Sequence, residues 1–465
     1  MASLFGALSV AVRALYAQEG AIGTTSNNIA NVNTPGYSRE TPILTEAPPL
    51  DLGQISMGNG VDFNGVQSIR DNVLDLRIDQ ETQQQNQLTS YVGYMNQVQS
   101  LFNETQGSGL SDALNSFFNS FQQLADNPTD TPTRQAVISA GQDLASAFQQ
   151  TGEQLTTVQQ GADQDVVQTV QQINADTTQL ADLNQQISGL EPNSEQADML
   201  QDNQYEVLNN LSQLVDVAVT NTSNGGLTVT TTNGTALVAG GQSFALSTQT
   251  NASTGFQDIF SQGSDVTSSF TGGQLAGLLE ARDQSIPSVM TSLDNLAAGV
   301  INSVNAQSLK GYDLNGAKGV NFFEPVVQPT PGSNAGAAEN MAVAITDPSQ
   351  VAASSDGTEG DNANALALAN IQNEDIVDGQ TATDFYSDLV STVGNDVSTA
   401  TDEQESVGLV LTQLQNQQSD TSGVSLDEEA ANLILYQRAY EAAAEVVSAI
   451  NNLTSDFLST INSSV

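Results

Sequence analysis

In the stretch Leu4–Ile29, LFGALSVAVRALYAQEGAIGTTSNNI, the residues Leu4, Leu8, Ala11, Leu15, Gln18, Ile22, Thr25 and Ile29 recur in alternating steps of four and three. That spacing is a heptad seam with two polar positions, and it predicts a helix with one face reserved for another helix. The residues around the seam are mostly Ala, Gly, Ser and Thr, small enough for close approach. Thr34-Pro35-Gly36-Tyr37 ends the run. Proline at the second turn position presets φ and glycine at the third accepts φ > 0, so a type II turn is favoured.

The far end of the chain mirrors this. Ser425-Leu426-Asp427-Glu428 has the form of a capping box, preceded by the helix breaker Gly423. From there the residues favour helix to about Ile461 and carry two adjacent apolar seams. Tyr436, Ala439, Ala443, Val446, Ile450, Leu453 and Phe457 form one; Leu426, Ala430, Leu433, Tyr440, Ala444, Val447, Leu458 and Ile461 form the other. So broad an apolar face calls for more than one neighbour. Leu4, Leu8, Leu15, Ile22, Ile29, Pro35, Tyr37, Tyr436, Tyr440, Val447, Ile450 and Phe457 are therefore the candidate interface residues. Tyr436 and Tyr440, four apart, are the expected aromatic anchors.

Between the ends, residues 80–214 are Gln-rich with helical periodicity, interrupted at Pro128, Pro132 and Pro192. One long helix is predicted around 151–190, its seam running through Leu155, Val158, Ala162, Val166, Thr169, Ile173, Asp176 and Leu180. At Val215 the period changes to two, and Asn233-Gly234 is a strong hairpin signal. Helical spacing resumes over 274–305 with an irregularity at Pro287, gives way to a Gly/Pro-rich segment to about 360, and returns over 363–414.

The fold class expected is mainly α: a discontinuous helical stalk built from N- and C-terminal coiled-coil-type helices, with a small inserted β domain. Residues 1–40 with 425–465 make the terminal helical assembly unit. Residues 41–214 with 268–307 and 361–424 make the stalk, and 215–267 with 308–360 an outer β-rich unit.

Composition narrows the function. The 465 residues hold 53 acidic and 9 basic side chains, a net charge of −44, with charged residues only 13% of the total. Such a surface repels nucleic acid and anionic membranes. Cysteine, histidine and tryptophan are absent, which removes thiolate nucleophiles, zinc-thiolate sites and the Ser-His-Asp triad. Gly311–Lys318 approaches a phosphate loop, but Ala317 separates the second glycine from Lys318. Asp313-Leu314-Asn315-Gly316 is a fragment of a calcium loop without its remaining ligands, better read as a surface turn. No spacing selects a carboxylate pair for glycoside hydrolysis. The reading is therefore not an enzyme, with no catalytic residue, cofactor or metal. No apolar run approaches the roughly 20 residues that span a bilayer. Arg13 interrupts the N-terminal run and no basic segment precedes it, so neither membrane insertion nor a cleaved signal peptide is expected.

Two motifs carry a family resemblance. Asn27-Asn28-Ile29-Ala30-Asn31-Val32-Asn33-Thr34-Pro35-Gly36-Tyr37-Ser38-Arg39 resembles the N-terminal signature of the bacterial flagellar rod, hook and hook-associated axial proteins. Leu426-Asp427-Glu428-Glu429-Ala430-Ala431-Asn432-Leu433, followed by Tyr436-Gln437-Arg438-Ala439-Tyr440, is similar to the C-terminal motif of the hook-associated members. Gly311-Tyr312-Asp313-Leu314-Asn315-Gly316, Phe322-Phe323 and the segment 360–366 also resemble parts of that family. The resemblance implies a structural part of the flagellum that joins hook to filament by helical subunit packing. It further implies copies of itself, hook protein, the next hook-associated junction protein and a cytosolic export chaperone as partners. Export outside the cell through the flagellar type III route is implied as well. A hook or rod protein is the nearest alternative, and a surface adhesin a more distant one.

Overall fold

The computed structural model describes residues 2–34, 36–51, 56–103, 109–190, 194–222, 225–328, 330 and 332–463. The chain opens with α1 (Ala2–Ala30) and then forms strands β1 (Glu40–Glu46), β2 (Leu50–Asp51), β3 (Ser56–Met57) and β4 (Val61–Ser68). Helices α2 (Asn72–Leu101), α3 (Leu110–Asp126), α4 (Thr131–Ile187) and α5 (Glu195–Leu214) follow. Next come β5 (Ala218–Asn221), β6 (Leu227–Thr230), β7 (Ala236–Ala239), β8 (Gln242–Ser243), β9 (Leu246–Thr250), β10 (Gln257–Ser261) and β11 (Ser264–Asp265). Helices α6 (Gly273–Glu280), α7 (Ile286–Ser308), α8 (Ala363–Asn370), α9 (Ala382–Ser422) and α10 (Leu426–Ser463) complete the chain. The fold is mainly α, with long helices at both ends and a small sheet-bearing insertion.

The 57-residue α4 is the organising rod, on the order of 85 Å long at 1.5 Å per residue. It starts twenty residues earlier than the Gln-rich seam suggests, because Pro132 sits in its first turn, where proline lacks no needed donor, and Asp130 caps Thr133. Pro128 lies in the turn before it, while Pro192 falls outside the described residues. Leu155, Ala162, Val166, Thr169, Ile173, Asp176 and Leu180 are all buried.

Two apolar cores are threaded on this rod. The first gathers α2, α3, the early part of α4, α7, α8 and α9 around a ring cluster, with Phe117 5.2–5.4 Å from Phe118, Phe121, Phe322 and Phe323. The second joins the late part of α4 with α5, α6 and the sheets β5-β6-β7-β8 and β9-β10-β11. Asn233-Gly234 makes the β6–β7 turn, with Gly234 at φ +88°.

The structure corrects three readings and gives the form of a fourth. The sequence reading places residues 41–68 in a helical stalk. They form instead the antiparallel β1–β4 pair laid along α1, where Phe63 packs on Gly20; the prolines at 42, 48 and 49 exclude helix there. The sequence reading groups residues 308–360 with an outer β unit, but among the described residues there the strand pairing is limited to isolated bridges. Their Phe322, Phe323, Met341 and Ile345 lie in the first core, far along the rod from the strands. The helix expected over 363–414 breaks between α8 and α9, where Asp378 and Gly379 take positive φ. The irregularity at Pro287 is a π turn over Ala281–Ser285, which places buried Arg282 against Asp163 at 2.7 Å.

Candidate assembly interface

The first signature motif folds as a helix end followed by a return strap, held by asparagine. Asn31 N–H closes the last turn of α1 on Asn27 O at 3.0 Å, and Thr34 N–H donates to Asn31 O. Gly36 takes φ +76°, the left-handed value that the third position of a type II turn requires, and Tyr37 N–H donates to Thr34 O at 3.3 Å. Buried Asn28 then grips the returning chain. Its Nδ2 donates to Glu40 O at 2.8 Å, while its Oδ1 accepts Glu40 N–H at 2.9 Å and the Tyr37 hydroxyl at 2.8 Å. Pro35 lies outside the described residues.

The second motif meets the strap in space. Arg39 Nη1 donates to Glu428 Oε2 at 2.6 Å, and Arg39 N–H donates to Ser422 O at 2.9 Å, so the two signatures are joined across 389 positions of chain. The capping box is only half made. Ser425 Oγ accepts Glu428 N–H at 3.5 Å, but the Glu428 carboxylate turns to Arg39 rather than back to the cap, since a guanidinium is the stronger partner.

From this junction α1 and α10 run side by side and antiparallel, because α1 ends and α10 begins at it. The same α1 is covered on another side by the β1–β4 pair, where Arg13 forms an ion pair with Asp62 at 2.6 Å. Ala11, Ala17, Ala21, Thr24, Thr25 and Asn28 are buried. Leu4, Leu8, Leu15, Ile22 and Ile29 are half-buried along the helix. On α10, Ile450 is buried, Tyr436 and Val447 half-buried, and Tyr440 and Phe457 exposed, at 39% and 47%. The candidate residues are thus divided. Ile450, Val447 and Tyr436 lie on the face that α10 turns to α1, and Phe457 lies off it.

The face that remains open is the one sequence reading blurred. Leu435, Ala439, Ala442, Val446, Ala449, Leu453 and Phe457 recur in steps of four and three, and Leu435, Val446, Leu453 and Phe457 are 47–62% exposed. This is a second apolar stripe at helical spacing, facing solvent except at half-buried Ala439. Phe5 and Tyr16 stand 60% and 69% exposed on α1. Leu435 and Ala442 escaped notice because Tyr436 and Ala443 beside them fit an apolar seam as well, and only the position of α1 separates the two registers. Among the described residues no helix is long and apolar enough to cross a membrane, and no group of three or more carboxylates could hold a metal ion.

The chain is similar to known proteins in sequence and in fold. Residues 95–323 match the family described as the flagellar hook-associated protein FlgK helical domain. Residues 8–37 match the flagella basal body rod protein family, and 416–460 the flagellar basal body rod FlgEFG protein C-terminal family. Flagellar hook-associated protein 1 of Bacillus subtilis is 30% identical over 96% of this chain and 96% of its own length. That of Salmonella typhimurium is 29% identical over 95% and 97%. The solved structure of the flagellar hook junction protein FlgK from Burkholderia pseudomallei shares the fold, with a TM-score of 0.66 at 19% identity over 74% of this chain and all of that one. With two signature motifs locked together at one junction and a relative this similar along nearly its whole length, the chain belongs to the flagellar hook-associated protein 1 family.

Proposed function

We propose that this hook-associated junction protein joins its neighbours through the outward seam of α10, with Phe5 and Tyr16 of α1 beside it. The observation that carries the reading is the apolar stripe Leu435–Phe457, left open on a helix whose adjacent face is already packed. An apolar stripe on a surface helix gains most by burial against other helices, at roughly 25 cal/mol per Å² of apolar area. Copies of the chain would supply those helices around a ring. Hook protein on one side and the next hook-associated junction protein on the other fit the same role in the axial stack. Export through the flagellar type III route, without a cleaved signal peptide and with a cytosolic chaperone covering α10, would keep the seam from aggregating before assembly. The role is structural and needs no catalytic group.

The test uses a strain deleted for the gene and complemented with full-length chain, wild type or carrying Val446→Asp with Leu453→Asp. The expected result is filaments with the wild type. The variant should give bare hooks, flagellin shed into the medium and unchanged helicity of the purified chain. Filaments of normal length on the variant overturn the seam as the contact surface, and absent hooks in the deletion strain move the protein inward to the rod or hook.

A further inference from the structure

Behind the strap lies a buried polar cluster that assembly through α10 does not explain. Asp75 and Asp79 are four apart on α2, and Asp198 and Asp202 four apart on α5, which packs beside it. Asp75, Asp79 and Asp198 are 3–7% exposed, and the Asp202 side chain 13%. Arg70 is the cation they share. Its Nη2 lies 2.9 Å from Asp202 Oδ1, its Nε 3.8 Å from Asp75 Oδ2, and its guanidinium 4.3 Å from the centre of the Tyr205 ring. Arg70 also donates to Ser38 Oγ at 2.9 Å and Gly36 O at 3.4 Å, while Ser38 N–H donates to Asp202 Oδ2. From α9, Gln418 Nε2 donates to Asp75 Oδ1 at 2.6 Å and to the Tyr205 hydroxyl oxygen at 3.3 Å. One network therefore ties the strap, α2, α5 and α9, which is where the terminal helices attach to the stalk.

The network is short of positive charge and of donors. With all four carboxylates ionised, one guanidinium leaves three buried negative charges uncompensated, and like charges at i,i+4 repel. Among the described residues, the buried carboxylate oxygens lacking a hydrogen bond include Asp75 Oδ2, Asp79 Oδ1 and Asp198 Oδ2. The other titratable groups here do not relieve the balance: Asp71 at the start of α2 is acidic, and the Tyr205 phenol is held neutral by burial and by Asp79 and Asp75. The sheet residues beside the cluster, Val219, Asn221 and Leu227, carry no charge. A proton on a carboxylate removes a charge and supplies an O–H donor, meeting both deficits at once.

We propose that this joint is a proton-operated latch, in which protonated Asp79 and Asp198 hold the strap and the terminal helices against the stalk and their ionisation loosens them. Burial pushes the Asp79 carboxyl up to about 7, aided by Asp75, and burial and the neighbouring Asp202 push Asp198 up to about 6. The sign follows. The closed joint binds more protons than the open one above the ordinary aspartate value of 3.8, so the stabilisation is fully present below that value and is lost as pH rises through the range from 6 to 7. The inference concerns the single chain and stands apart from what α10 binds.

Hydrogen exchange of the full-length chain between about pH 5.5 and about pH 8, with rates normalised to intrinsic exchange, tests it. Protection over residues 36–40, 72–80 and 196–206 is expected to fall at least about tenfold, roughly tenfold per pH unit for each proton released, while α3 stays flat. The variant D79N/D198N, with neutral amides at both positions, should flatten the profile. A pH-independent wild type overturns the latch, as does a variant that keeps the wild-type profile. Carbon-13 carboxyl shifts of aspartate-labelled wild type decide the matter even if the variant fails to fold. At least one aspartate titrating above about pH 5.5 supports the latch, and titration of every aspartate below about pH 5 overturns it.

Discussion

Asn28, Asn174, Asn184 and Asn305 each sit on a helix and use one carboxamide to hold both the N–H and the C=O of a single residue on a passing segment: Glu40, Leu246, Leu227 and Phe323 respectively. A carboxamide is suited to this because it carries donor and acceptor side by side, which neither a carboxylate nor an ammonium does. In a chain with so few charged residues this is how irregular segments are fixed to helices. Asn184 is the most committed of the four, since it also donates to Gly240 O at 2.7 Å and accepts from Gln204 Nε2 at 2.7 Å. Replacing it with Ala leaves several buried groups without partners, and is expected to destabilise the β insertion by about 2–4 kcal/mol. Hydrogen exchange should show this as faster exchange across β6 with α3 unchanged; equal protection of β6 in variant and wild type would show that the clamp is dispensable.

Among elements, the closest packing is set by glycine. A Cβ at Gly277 of α6 would fall 2.1 Å from Gln87 O on the backbone of α2, so that neither side can yield by a rotamer change. Gly93, on α2 itself, faces open space. Gly277→Ala should therefore lower thermal stability by about 1–3 kcal/mol or more through overpacking. Gly93→Ala should raise it by up to about 1 kcal/mol through helix propensity. Thermal unfolding of the two variants side by side checks this, and loss of stability in both would mean that α2 is sensitive to any added bulk. The same scale explains which elements were legible. The seams of α1 and α10 and most of α4 could be read because a helical period leaves a long regular trace. Residues 308–360 could not, because their order comes from side-chain clamps such as Asn305 on Phe323, Ser308 on Val320 O and Asn364 on Ala352 O, which have no period.

Across the whole molecule, nine basic residues stand against 53 acidic ones, and the structure uses five of the arginines to tie its elements together. Arg13 ties α1 to β4, Arg39 ties the strap to α10, and Arg70 ties the strap to α5. Arg134 donates to Pro128 O and Val351 O, and Arg282 bridges to Asp163 and to Gln257 O. The outer surface is left strongly negative, and its self-repulsion should weaken the compact state when screening is poor. Because the Debye length falls from about 30 Å at 0.01 M salt to about 10 Å at 0.1 M, melting temperature is expected to rise by several degrees over that range and a little further above it. A melting temperature that is flat or falls with added sodium chloride would place the stabilising balance in the internal ion pairs instead.

By itself the sequence determined the helical ends, the long rod, the β insertion with its Asn233-Gly234 turn, and the two signature motifs, because each is written in local spacing. Only the tertiary structure decided that Arg39 and Glu428 meet, that four aspartates share Arg70, and that the Leu435–Phe457 register rather than its neighbour is left open. An apolar residue looks the same in sequence whether its partner lies in its own chain or in the next. Which face of α10 stays open follows from where α1 packs.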